Sequence, residues 1–342
     1  MKKILYIGNQ VSRHRRNKTT IETLGPALEA EGYTLVYASS QKYFIFRLLG
    51  MLWRCVTVAK ASVIFIDTYS TKAFWYAVIC GRIARWRKMP YVPLLHGGNL
   101  PQRFIQNPKS CQRYFSNAYQ NITPSHYLMQ ELEAVGFDNA RYIPNALALE
   151  QYPFKERLTF EPNLLWVRAF ATIYNPEMAV HVLVEVQKVY PKATLTMVGP
   201  DKDGSLVATK ALGKELGVSV SFTGQLSKHE WRELATNHAI FINTTHVDNT
   251  PVSVLEAMAL GLAVVSTNVG GIPFMVANES EGLLVDDAAV NAMATAIMDC
   301  VNNPIATRNR VLAARRKVEN FDWTKVKREW IQLLEELPQN EP

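Results

Sequence analysis

The 342-residue chain predicts an α/β protein of two tandem Rossmann-like, doubly wound domains facing a cleft, and three observations carry that expectation. Apolar runs of strand length alternate with helix-length segments from one end to the other, the pattern of βαβ units and a mostly parallel sheet. The alternation runs through two halves of similar size, each long enough to bury its own core. The turns after the strands are crowded with Gly, Asn, Asp, Ser and Thr, and ligands of such sheets bind beyond the carboxyl ends of the strands.

Strands are predicted near residues 3–7, 34–38, 62–66, 91–95, 119–122 and 140–143, and again near 163–167, 193–198, 218–222, 239–242, 262–265 and 283–285. The stretch from Ile143-Pro144-Asn145 to Tyr152-Pro153 reads as a linker, which sets domains of 1–150 and 151–320. The last helix, from about Trp323 to Leu337, either crosses back onto the first domain, so that 321–342 is anchored there by Phe321 and Trp323, or simply caps the second.

An apolar content of 48% with 20% charged residues describes a folded soluble chain rather than a disordered one. Cys55, Cys80, Cys111 and Cys300 show no metal or redox spacing and read as reduced thiols of a cytosolic protein. Met1-Lys2-Lys3 leads straight into a strand, so no signal peptide is expected, and the Asn-x-Ser/Thr sites at Asn17, Asn121, Asn243 and Asn278 carry no meaning. No run of eighteen apolar residues occurs, so no membrane span is expected.

The net charge of +7 hides a division: residues 1–150 hold 19 Lys+Arg against 8 Asp+Glu, or +11, which leaves 18 against 22, or −4, for the rest. A polyanionic partner is expected for the first half: nucleic acid, anionic lipid or a phosphorylated substrate.

The most informative segment is Asp248-Asn-Thr-Pro-Val-Ser-Val-Leu-Glu256, continuing to Gly261, just after the apolar strand Ala239–Ile242. Pro251 suits a first helical turn because it has no N–H to lose there. The free N–H groups from Val252 and Ser253 onward, with the positive helix end, make a site for a diphosphate. One turn further in, Glu256 is placed to accept two vicinal ribose hydroxyls, Asp248 on the loop can reach a hexose hydroxyl, and Thr250 and Pro251 are expected among the donor-binding residues. A lone Glu in a helix's first turn usually caps or pairs within the helix; the surrounding pattern argues against that here.

The remaining strand-end turns carry Gly8-Asn9 through Lys18, Asp67, His96-Gly97-Gly98-Asn99, Ser125, Arg168, Gly199 through Lys202, and Thr223-Gly224-Gln225. Any one of them fits ordinary turn chemistry. Together they fit a substrate site.

The second half resembles the nucleotide-binding domain of family 4 glycosyltransferases, which have the two-Rossmann GT-B fold. The matching residues are Val198-Gly199-Pro200, Phe222-Thr223-Gly224, Asp248 through Gly261, and Val264 through Gly270-Gly271-Ile272-Pro273, with a thinner likeness at Ile122–His126, Gly136-Phe137 and Ile143–Asn145. The resemblance implies transfer of a sugar from a nucleotide-diphosphate sugar, UDP-sugar most commonly, with retention of configuration and no metal or other cofactor. It implies that Glu256 binds ribose, that Asp248 touches the transferred sugar, that Arg168 and the N–H groups near Val252 and Ser253 hold the diphosphate, and that Thr223, Gly224 and Gln225 lie beside the base. Three departures stand out. The first acid of the pair is Asp248 where the family usually has Glu. No Lys follows Arg168 within Ile173-Tyr174-Asn175, which leaves Lys202 as a substitute. Gly8 is followed by Asn9 where paired glycines are common.

Arg168, Asp248 and His96 are the catalytic candidates. Gly8, Asn9, Lys18, Asp67, Gly97, Asn99 and Ser125 are expected on the side of a saccharide or lipid-linked acceptor, although Asp67 at a strand end also suits a helix cap. Asp201-Lys202-Asp203 has the look of a metal-binding triplet, but Gly199-Pro200 before it and Gly204 after it argue for a turn. The apolar segment Phe44–Val56 with Arg47 and Arg54, together with Trp86 among Arg82, Arg85, Arg87 and Lys88, suits either an anionic membrane surface or a buried packing helix whose arginines snorkel outward. Rival readings are a nucleotide-sugar epimerase or glycosyl phosphorylase of the same fold, or a non-catalytic lipid or nucleic-acid binder. No recognised nucleic-acid module is present.

Overall fold

A computed structural model describes residues 2–10, 19–38, 41, 43–59, 61–96 and 99–338, with only the main chain of Phe44. The chain falls into two units, Met1–Ala146 with Thr324–Pro342, and Leu147–Trp323. Each is built on a six-stranded parallel sheet.

In the first unit the chain runs β1 (Lys3–Ile7), α1 (Thr20–Ala30), β2 (Thr34–Ala38), α2 (Phe44–Thr57), β3 (Val63–Tyr69), α3 (Phe74–Trp86), β4 (Tyr91–His96), α4 (Leu100–Gln106), α5 (Pro108–Phe115), β5 (Asn121–Thr123), α6 (His126–Ala134) and β6 (Ala140–Tyr142), with strand order β2-β1-β3-β4-β5-β6. The central strands are buried on both faces, which is why β3 opens as the unbroken apolar run Val63-Ile-Phe-Ile66 rather than as an alternating one.

The second unit runs β7 (Asn163–Val167), α7 (Pro176–Gln187), β8 (Thr194–Val198), α8 (Ser205–Glu215), β9 (Val220–Gly224), α9 (Lys228–Ala235), β10 (Ile240–Asn243), α10 (Val252–Ala259), β11 (Ala263–Thr267), α11 (Ile272–Met275), β12 (Leu283–Val285), α12 (Val290–Asn302) and α13 (Pro304–Val318), with strand order β12-β11-β10-β7-β8-β9. The strand order reverses beside β7 and β10. Open parallel sheets bind ligands at such a switch point, and the loops after those two strands carry Arg168 and Asp248.

The final helix, α14 (Trp323–Glu336), belongs from Thr324 onward to the first unit. It buries Val326, Trp330, Leu333 and Leu334, and the Trp330 ring lies 5.7 Å from that of Phe65. Lys327 pairs with Glu31, and Arg141 with Glu329 and Glu336. Phe321 instead packs in the second unit's core, so Trp330 rather than Phe321 is the aromatic anchor on the first unit. Leu147 pairs through its main chain with Phe321 and Trp323, holding the two chain passages side by side.

All four cysteines are free and buried. Burial pushes the thiols of Cys111 and Cys300 up to about 11.

Candidate active site

In the second unit, the loops after β7, β8 and β10 are tied to one another by main chain. Phe170 N–H donates to Pro200 O at 2.8 Å, Lys202 N–H to Phe170 O at 2.9 Å, and His246 N–H to Ile173 O at 2.9 Å. Thr244 and Thr245 add side-chain bonds to the carbonyls of Tyr174, Asn175 and Ile173. Gly199 sits where an added Cβ would strike Arg168 O, and Gly270 and Gly271 lie where one would strike the carbonyls of Asp248 and Asn249. Only hydrogen fits at these close main-chain approaches. Gly271 N–H donates to Asp248 O at 2.9 Å. The glycines at 199, 270 and 271 thus position the loops that carry Arg168 and Asp248.

Arg168 and Asp248 form an ion pair, with side chains 17% and 14% exposed. The guanidinium also lies over the Tyr174 ring, its central carbon 4.3 Å from the centroid. Burial lowers the guanidinium's proton affinity, and Tyr174 opposes that shift. Arg168 Nε and Ser253 Oγ are buried with no hydrogen-bond partner among the described residues. Leaving such a group unsatisfied costs about 1–3 kcal/mol, so a polar ligand that reaches it gains by that margin.

Helix α10 begins at Val252 with Pro251 as N-cap, one position before the first turn that the sequence suggested for it. No side chain caps this end and no acidic residue lies in its first turn. The leading N–H groups, Val252 and Ser253 among them, therefore have neither an intrahelical partner nor a side-chain cap to meet them.

One turn on, Glu256 is 1% exposed. Its Oε1 accepts from Tyr152 Oη at 2.5 Å and pairs with Lys228 Nζ. Burial, and next the Glu256 charge, hold the Tyr152 hydroxyl well above its ordinary value, so it remains a donor. Lys228 opens α9, whose start is set by a capping box: Glu230 N–H donates to Ser227 Oγ at 3.2 Å, and Ser227 N–H to Glu230 Oε2 at 2.7 Å. Tyr152, Lys228 and Tyr174 were not singled out in the sequence. Tyr152 fell inside the predicted linker, and no spacing rule connects it to a helix a hundred residues away.

Gly224 O accepts from Gly199 N–H at 2.9 Å, and Thr223 Oγ1 donates to Gly224 O at 3.0 Å, which leaves Thr223 and Gln225 exposed at the end of β9. Lys202 is exposed. Its neighbours behave as turn residues: Asp201 accepts from Gly204 N–H, while hydrogen bonds from Ser205 and then Thr172 pull the Asp203 carboxyl down to about 2.

In the first unit, His96 Nε2 lies 3.0 Å from Asp67 Oδ1, which also accepts from Tyr6 Oη at 3.2 Å. Asp67 is fully buried and His96 is 14% exposed in its side chain, so the carboxylate orients the imidazole from beneath. The sequence singled out both residues but not their pairing, which comes from β3 and β4 lying side by side with Asp67 opposite Leu94. Gly8 sits where a Cβ would strike Asp67 Oδ2. Asn9 O accepts from Thr19 Oγ1 at 2.7 Å. Ser125 caps α6 by accepting from Leu128 N–H at 3.1 Å, and Asn99 is the N-cap residue of α4, its amide 3.3 Å from Gln102. Lys18 and Gly97 lie outside the described residues.

The paired six-stranded parallel sheets have the architecture of the GT-B glycosyltransferases. Sucrose-phosphate synthase of Thermosynechococcus elongatus superposes with a TM-score of 0.79 at 17% identity, covering 98% of this chain and 99% of that one. The Anabaena protein Alr3699/HepE, solved in complex with UDP-glucose, superposes at 0.75 with 17% identity, covering 98% and 100%. Residues 150–318 match the family model of glycosyl transferases group 1. Among curated proteins, the glycogen synthase of Mycobacterium tuberculosis is 26% identical over 199 residues, 57% of this chain and 48% of that protein. The chain spans about half the length of the curated relatives it first matches. The family match covers the whole of the site built around Arg168, Asp248 and Glu256.

Proposed function

We propose that the chain is a retaining, metal-independent glycosyltransferase that moves a sugar from a nucleotide-diphosphate sugar, UDP-sugar foremost, to a saccharide or lipid-linked acceptor at the inner face of a membrane, in surface polysaccharide or glycan assembly. The observation that carries this reading is the arrangement beyond the carboxyl ends of β7 and β10: a desolvated guanidinium, an uncapped helix start and a buried carboxylate one turn further in. The match of residues 150–318 to glycosyl transferases group 1 and the UDP-glucose held by HepE support it.

Glycosyl transfer develops positive charge on the sugar and negative charge on the departing diphosphate. Arg168 and the N–H groups of Val252 and Ser253 are fixed donors suited to that leaving group, and they meet it without reorganisation. Asp248, already bound to Arg168, positions the guanidinium and is the carboxylate assigned to a hexose hydroxyl. Glu256, held by Tyr152 and Lys228, takes the ribose hydroxyls. His96, oriented by Asp67, serves the acceptor side, together with Gly8, Asn9, Asn99 and Ser125. Thr223, Gly224 and Gln225 flank the base, and Lys202 supplies a further positive charge.

The test is calorimetry with nucleoside diphosphates, followed by product analysis with a UDP-sugar with and without acceptor. No binding of any nucleoside diphosphate would end this reading. Sugar released as its phosphate, or epimerised without transfer, would replace transfer with phosphorolysis or epimerisation.

A further inference from the structure

Helix α2 buries one side and exposes an apolar one. Met51 and Cys55 are 1% and 0% exposed in the first unit's core, yet Ile45, Phe46, Leu49, Trp53 and Val56 are 46–68% exposed. A helix lying on a soluble domain normally turns charged and polar side chains outward. Here the outward side is aliphatic and aromatic, with Arg54 exposed beside it. The packing-helix reading of this segment accounts for its inner face only.

Helix α3 continues the surface. The crossovers β2-α2-β3 and β3-α3-β4 both advance the same way across the sheet, and right-handed connections place their helices on one face. Met51 and Cys55 accordingly share a core cluster with Phe74, Ala77 and Cys80. Arg87 donates to the carbonyls of Cys55 and Val58 at 2.7 and 2.9 Å, which sets the carboxyl ends of the two helices side by side. The outer side of α3 exposes Trp75, Ile79 and Trp86, at 42%, 39% and 76%. Arg82 and Arg85 are exposed on the same helix.

Along this stretch of sequence the charge is almost all of one sign. Between Glu31 and Glu131 the sequence contains twelve Lys and Arg and a single carboxylate, Asp67, which is fully buried. Exposed Trp and Phe interleaved with Arg, in a stretch of sequence whose one carboxylate is buried, is the chemistry of an anionic lipid interface: rings at headgroup level, guanidinium groups on phosphates. A second copy of the chain would press the same positive charge against itself.

We propose that the outer face of α2 and α3 is the surface by which this chain lies on an anionic lipid bilayer. The proposal deepens the reading of a membrane-presented acceptor and rests on it for its purpose. The surface includes no residue of the donor site, so the two are tested apart.

The experiment is co-sedimentation with phosphatidylcholine vesicles with and without phosphatidylglycerol, at low and high salt, with nucleotide binding measured separately by calorimetry. The wild-type chain is expected to sediment with the anionic vesicles at low salt and to be released as salt shortens the electrostatic range from about 10 Å at 0.1 M to about 3 Å at 1 M. The variant Phe46→Ser/Leu49→Ser/Trp53→Ser is expected to bind about a thousandfold more weakly, since each of the three large apolar side chains withdrawn from water is worth roughly tenfold. Should that variant lose its native circular dichroism, Arg82→Gln/Arg85→Gln carries the test, with weaker binding to anionic vesicles expected. Absence of binding to anionic vesicles at low salt, or binding left unchanged by these substitutions, overturns the proposal. A dimer that the triple variant abolishes, with no vesicle binding, overturns it in favour of a second copy. Vesicle binding without nucleotide binding leaves the surface standing and removes the donor reading; the reverse result does the opposite.

Discussion

Lys228 at the start of α9 and Glu256 in α10 form an ion pair on Oε1, the same oxygen that accepts the Tyr152 hydroxyl. The pair straddles the solvent boundary: the carboxylate side chain is 2% exposed and the lysine 58%. Lys228 therefore reaches inward from water to a carboxylate that the core surrounds.

If that carboxylate receives the donor's ribose, Glu256→Gln exchanges charge-assisted hydrogen bonds for neutral ones. A loss of about 1.5–3 kcal/mol, roughly ten- to a hundredfold in Kd for UDP, is expected. Calorimetry with UDP and 2′-deoxy-UDP checks it. The wild-type chain should prefer UDP and the variant should not, whereas equal preference in both would remove Glu256 from the ribose. Tyr152→Phe, which leaves Lys228 in place, is expected to have the smaller effect.

The Arg168–Asp248 pair leads to a kinetic expectation. The charge that Arg168 meets is greatest as the diphosphate departs, so Arg168→Ala should lower kcat by about 10²–10³ while donor KM moves little. Steady-state kinetics decide it. An unchanged kcat with a raised donor KM would mean that Arg168 binds the ground state only.

Asp67 beneath His96 predicts a split between the two halves of the reaction. Asp67→Asn replaces the acceptor that orients the imidazole, and loss of such a supporting partner costs about 10–100-fold in activity. Turnover should fall by that factor with UDP affinity unchanged. Gly8→Ala, which drives a methyl group against the Asp67 carboxylate, should lower turnover in the same direction. A change in UDP affinity in either variant would contradict the assignment of these residues to the acceptor side.

His238 makes the second unit sensitive to acid. Its Nδ1 lies 2.9 Å from Leu234 O and its Nε2 2.9 Å from Thr196 Oγ1. Burial first, and also the nearby Arg157, hold its pKa below the ordinary 6.5, against the opposing hydrogen bond to Leu234. Because the folded value is the lower one, the neutral ring stabilises the fold fully above pH 6.5, and that stability is lost as pH falls from there through the folded value. Melting temperatures measured from pH 8 down to 5 should fall in that window, and His238→Gln should flatten the dependence. A wild-type curve as flat as the variant's would remove His238 as the cause.

Sequence alone was enough for the alternation of strands and helices, because period and turn chemistry are local. The twelve predicted strands correspond to β1–β12 with ends displaced by a few residues, as at β5, which begins at Asn121 rather than near 119. Glycines were legible as turns, but not as the clearance beneath Arg168 and beside Asp248, since that close approach joins loops some twenty to thirty residues apart. Arg157 illustrates the same limit. It donates to the carbonyls of Lys155, Ala235, His238, Leu260 and Gly261, and nothing in its sequence neighbours marks it as more than a surface arginine.

By itself, then, the sequence determined the fold class, the candidate loops and the helix start at Pro251-Val252, all set by short-range periodicity and backbone chemistry. Tertiary structure alone decided which side chains meet: Arg168 with Asp248 and Tyr174, Glu256 with Tyr152 and Lys228, His96 with Asp67. It also decided which face of α2 looks outward. The physical reason is that burial and partner choice depend on sheet order, and sheet order is settled by packing across the whole unit rather than by any stretch of chain.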